Sequence, residues 1–159
     1  MALNADSRDI AAYIVKECER RNYFVNFSKL QKLMFCIYGA VLANYQQKLF
    51  DDIPYATEWG PIFPKLYKIS TKEYLADGII GYYNFRSENI KSTLDRPILK
   101  FIEEVIIHYG SKSIYELCSC VFQQDSPWFN APLGGKIADT TIPDYMISQY
   151  FQNIFKKEK

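Results

Sequence analysis

The chain has 159 residues, 48% hydrophobic and 23% charged, enough for one domain with a substantial core. A net charge of +1 excludes a global pull toward nucleic acid, anionic lipid or acidic substrates, so a charged partner must be met by a local patch. Aromatic residues reach 16%, with 13 Tyr, a composition that serves both cores and contact surfaces.

The opening MALNADSRD carries acid and no apolar run, which is unlike a secretory signal. With it go four cysteines, Cys18, Cys36, Cys118 and Cys120, read as reduced thiols of a cytoplasmic protein. Spacing predicts a first helix over 7–21, capped by Asp6 or Ser7, with Ile10, Tyr13, Ile14, Glu17 and Cys18 on one face. All of these except Glu17 suit burial. A short turn over 22–26 leads to the stretch that dominates the chain, FSKLQKLMFCIYGAVLANYQQKLF, residues 27–50. There Leu30, Leu33, Met34, Ile37, Val41 and Tyr45 form a continuous helical stripe, widened by Phe35, Tyr38 and Leu42. A helix apolar nearly all round must be wrapped by other elements. Asn26 or Ser28 is its expected cap, and it is too short and too interrupted to span a bilayer.

Beyond Phe50, three prolines (Pro54, Pro61, Pro64) forbid an unbroken helix, and 55–59 reads as a short strand or an extended arm. Gly60-Pro61 marks a bend, and Pro64 is placed to open a third helix reaching Leu75, with Lys65, Lys68 and Lys72 along one side. Residues 76–94 read as either a hairpin partner for the Tyr55 region or a loop. A fourth helix from Asp95 or Arg96 to Tyr109 has Pro97 in its first turn and Gly110 at its end. Ser111 or Ser113 caps a fifth, running through Phe122. Asp125-Ser126-Pro127-Trp128 reads as a cap followed by proline at the first position of one further turn, and 133–136 is loop. Thr141-Ile142-Pro143 opens the last helix, and the tail 155–159 is expected to fray. The fold expectation is mainly α: a single compact domain over 1–159, about six helices around a buried central one, with room for a short β-hairpin.

Residues suited to chemistry are sparse. The single histidine, His108, would need a positioned nucleophile and an orienting acid, and no spacing ties it to Cys118 or Cys120. Cys118-Ser119-Cys120 is not a CxxC half-site and has no second cluster, so no metal site is expected. Gly134-Gly135-Lys136 lacks the earlier glycine, the following Ser or Thr and the preceding strand of a phosphate loop. The adjacent pairs Asp51-Asp52 and Glu103-Glu104 point apart and read as solvated faces. Neither an enzyme nor a cofactor is expected. The row Lys65, Lys68 and Lys72 is the best nucleic-acid candidate, a salt-sensitive phosphate site, although a solvated face is the plainer reading.

Three phrases carry a resemblance. Leu30-Gln31-Lys32-Leu33-Met34-Phe35 resembles "LQKLLYF"; 55–62, YATEWGPI, resembles "EAWxYGPV"; and 117–128, LCSCVFQQDSPW, resembles "LSxLTHxxxSPW". In order and spacing the set resembles the Panacea domain family, phage- and plasmid-associated proteins that include the SocA antitoxin. The likeness covers about residues 10–151, ending on a stretch similar to "I...IxxYF". One departure is that the family's Thr-His pair falls on Val121-Phe122, so nothing that depends on that histidine carries over. The resemblance implies a mainly helical antitoxin that binds and neutralises a protein toxin encoded by a neighbouring gene. In at least one relative it delivers the toxin to an AAA+ protease.

The expected docking segment is 55–67, where prolines stiffen the chain between helices and so reduce the entropy lost on binding. Its partner-binding candidates are Tyr55, Trp59, Gly60, Pro61, Phe63, Lys65, Tyr67 and Lys68, joined by Trp128. Backbone groups of 55–59, if unpaired, would also be offered to a partner strand. For Trp59 and Trp128 the competing reading is core packing, the common fate of an indole with a satisfied N–H.

Overall fold

A computed structural model describes residue 3 and residues 5–66, 94–131 and 140–158. Three of the helices start where a side chain meets their free amides. Asp6 accepts from Arg8 N at 2.8 Å and opens α1, Ser7–Arg20. Asn26, not Ser28, accepts from Lys29 N at 2.8 Å and opens α2, Phe27–Tyr45. α3, Arg96–Gly110, has proline in its first turn, and Asp95 makes no side-chain cap bond. Ser113 and Glu116 form a reciprocal capping box at the start of α4, Ile114–Val121. The last helix, α5, is Asp144–Glu158; with no glycine or proline near its end, the backbone stays helical through most of the polar tail.

α2 is the wrapped helix its composition demands. Leu30, Leu33, Met34, Phe35, Ile37 and Val41 are fully buried, with α1, α3, α4, α5 and strand β2 (Gly60–Ile62) packed around them. It ends at Tyr45, the last residue of the stripe, because Gln46 adopts a left-handed conformation (φ 57°) and returns its N–H to Leu42 O at 2.9 Å. Leu49 and Phe50 remain buried beyond that turn. Residues 48 and 49 accept backbone hydrogen bonds from Leu3 and Ala5. Gly39 is where α5 crosses: a Cβ there would sit 2.2 Å from two Phe151 ring atoms. Close crossing lets the Phe151 ring meet Phe35 edge-on, with centroids 5.9 Å apart.

Among the described residues, five α-helices accompany a three-stranded antiparallel sheet of order β2-β1-β3, where β1 is Tyr55–Thr57 and β3 is Thr140–Thr141. The domain is thus mainly α with a short hairpin, as the sequence suggests. Tyr55 pairs with Ile62 on one side and with Thr141 on the other. Two expectations are corrected here. β1 lies in the middle of the sheet, so its backbone groups are already paired and are not on offer to a partner strand. Its partners come from 60–62, across the two-residue turn Glu58-Trp59, and from 140–141. Residues 76–93, expected to supply a hairpin partner or a loop, lie outside the described residues, as do 133–136. Of the expected third helix only a 3-10 turn, Pro64–Leu66, is described, and Lys72 lies beyond it.

Candidate partner-binding site

The two polar residues inside the first phrase are both buried, and each reaches toward another phrase. Gln31 behaves as a piece of strand: its Oε1 accepts from Phe63 N at 2.9 Å and its Nε2 donates to Phe63 O at 3.2 Å. That reciprocal pair fixes the chain just after β2 to the core helix and satisfies a buried amide on both sides. Lys32, one residue on and 4% exposed, directs its Nζ to Ser28 Oγ at 3.1 Å and over the Phe122 ring, 5.8 Å from the centroid.

The second and third phrases meet across the same spot. Gly60 turns the hairpin at φ 107°, a conformation that favours glycine, and a Cβ there would stand 3.1 Å from Phe122 Cζ and 4.0 Å from Lys32 Nζ. Thr57 closes the turn, donating to Gly60 O at 3.0 Å and accepting from Trp59 N at 3.1 Å. Trp128 donates its indole N–H to Thr57 O at 2.5 Å and stands edge-on to Phe122, with centroids 4.5 Å apart. The fully buried Ser126 holds the loop that delivers Trp128, accepting from Phe129 N at 3.1 Å as the cap before Pro127. Phe122, standing where the resemblance places histidine, is the ring on which Gly60, Lys32 and Trp128 all converge.

Other candidates separate. Trp59 is 69% exposed at the tip of the hairpin, which corrects the core-packing reading for that ring; Glu58-Trp59 is the unpaired turn and points away from the core. Trp128 follows the core-packing reading, at 5% exposure. Phe63 is fully buried against Tyr38 and Phe50, with centroids 5.7 and 5.2 Å away, so it is scaffold and no exposed anchor. Gly60 and Pro61 are likewise buried and shape the turn. Tyr55 is half-buried in β1, and Lys65 is exposed in the 3-10 turn. Tyr67 and Lys68 lie outside the described residues. Gln31, Lys32, Thr57 and Ser126 were missed as site residues. A visible signal existed for the first two, since a polar pair amid an apolar stripe must find partners when buried.

Electrostatically the site is one-sided. Burial pulls the Lys32 amine below its ordinary value, and its neighbouring titratable groups are the thiols of Cys118 and Cys36. Burial pushes the Cys36 thiol strongly up, so it stays protonated. Among the described residues no group of three His, Cys, Asp or Glu is arranged to hold a metal ion, and no helix is long and apolar enough to cross a membrane. His108 and Cys120 line one surface depression of about 370 Å³ with Asp125 and Tyr150, whose hydroxyl donates to Cys120 O at 2.5 Å. Comparison with family models, curated proteins and solved structures found no match to this chain.

Proposed function

We propose that the chain is a Panacea-type antitoxin of the cytoplasm that binds and neutralises a protein toxin encoded beside it. The observation that carries this reading is the convergence just described: three phrases separated by up to about a hundred residues build one site around Phe122. A structural core alone does not require that site to hold an exposed tryptophan on a stiff, fully paired hairpin, an arrangement that suits an interface anchor. The work is contact rather than catalysis, either by blocking the toxin directly or by delivering it to an AAA+ protease. Co-expression with each neighbouring gene product tests the reading. A toxic neighbour should be tolerated in the presence of this chain and should co-purify with it. No toxic neighbour, or no complex with one, would sink the proposal.

A further inference from the structure

A buried ammonium normally has a carboxylate or several acceptors on it, because taking the charge out of water costs several kcal/mol otherwise. Lys32 has neither. Among the described residues no carboxylate lies within ion-pair distance of its Nζ, and one hydroxyl, Ser28 Oγ, takes one of its three N–H groups. The Phe122 ring faces the charge but accepts weakly. Lys29, one turn earlier and also buried, shows what a structural lysine does in this fold: it donates to Phe24 O at 3.0 Å and to Gly110 O at 2.8 Å, at the carbonyl end of α3. Among the described residues the remaining donors of Lys32 have no such use.

Ser28 and Phe122, the side chains in contact with the Lys32 ammonium, are each half-buried, as is Cys118, and the Gly60 turn packs on the same Phe122 ring. The exposed Trp59 flanks Gly60 on the hairpin. A four-carbon stem lets the ammonium shift by an ångström or more toward the surface once an anion waits there. We infer that Lys32 is the receptor for a side-chain carboxylate, Asp or Glu, of the protein bound at this site, which meets the ammonium beside the Phe122 ring with Trp59 as its apolar neighbour. The inference rests on the partner-binding reading above and adds the chemistry the partner must bring.

Acetate serves as the probe for the receptor itself. In protein labelled with ¹³C at lysine Cε, the Lys32 resonance is identified by its loss in Lys32→Met, whose remaining spectrum also reports that the fold is kept. Titration with sodium acetate, against sodium chloride at equal ionic strength, should shift that resonance saturably and raise its titration midpoint. The ionisable side chains that face it are Cys118 on α4 and Cys36 on α2, and the hairpin adds no charged group to that set. A Lys32 resonance that follows the chloride control would overturn the receptor. With the co-purified partner, Lys32→Met should weaken binding tenfold or more. If Trp59→Ala weakens binding and Lys32→Met does not, the receptor falls and the partner-binding reading stands. If no neighbouring product binds at all, both fall.

Discussion

Where α1 meets α3, Glu17 goes beneath the surface with Arg20 Nη2 at 2.8 Å and Arg21 closer still, and Arg21 reaches on to Glu103 at 2.7 Å. Where α2 meets the hairpin and α4, Lys32 goes beneath the surface with a hydroxyl and a ring. At the first seam buried charge is matched and holds two helices together. Among the described residues the second leaves it without a carboxylate, which lowers stability. The sharpest way to break the contrast is Glu17→Ala. It leaves Arg21, 17% exposed, with a single carboxylate, and should cost about 2–3 kcal/mol in denaturant unfolding. Burial tends to raise the Glu17 carboxyl, but hydrogen bonds from Arg21 and Arg20 outweigh it and hold the group below its ordinary 4.5. A carboxyl depressed on folding stabilises fully above its unfolded pKa. The difference between wild type and Glu17→Ala should therefore be constant near neutrality and shrink as pH falls below 4.5 toward the folded value.

Within α2 the same contrast divides two lysines. Lys29→Met strands the carbonyls of Phe24 and Gly110 and should cost about 1–2 kcal/mol. Lys32→Met strands no described acceptor beyond a hydroxyl and removes a buried charge, so stability should hold or rise by up to ~1 kcal/mol. The sign can be checked by pH. Desolvation lowers the folded Lys32 below 10.5, so between its folded value and 10.5 the unfolded chain binds more protons and wild-type stability rises with pH. The lead of Lys32→Met over wild type at neutral pH should therefore narrow as pH climbs through that window. Equal losses from the two substitutions would mean that Lys32 is as structural as Lys29.

Much of the fold was legible because it rests on local rules. The stripe of α2, the cap at Asp6 and the prolines at 97 and 127 announce themselves within a few residues of where they act. Less visible was anything decided by a distant partner. Glu17 reads as unfit for burial until Arg21 and Glu103 are placed beside it. β3 is two residues long, too short to show a period, and exists because Ala56 and Tyr55 have a free edge for it. Trp59 and Trp128 look alike in sequence, each beside a proline or glycine, yet one is capped by Thr57 O and the other stands at the tip of a turn. For the site, the phrases could be read from the sequence but not their meeting at Phe122, which depends on the Gly60 turn and the Ser126 loop arriving at the same place.

The smallest effect on the free chain should come from Trp59, and it separates a site kept for packing from one kept for contact. At 69% exposure, its indole contributes little to the core, so Trp59→Ala should change stability by no more than about 0.5 kcal/mol. The turn itself is held without that side chain, by Thr57 Oγ1 on Gly60 O and on the backbone N–H of residue 59, so the hairpin should keep its shape. Binding is expected to respond differently. A large exposed ring on a rigid turn loses few rotamers when covered, and central tryptophans of that kind are worth about 2 kcal/mol or more, some thirtyfold in affinity. Melting and affinity measured on the same preparation decide the matter. An unchanged melting temperature with a thirtyfold weaker complex makes the hairpin tip an anchor. Unchanged affinity would move the interface off the hairpin and leave the convergence at Phe122 as packing alone.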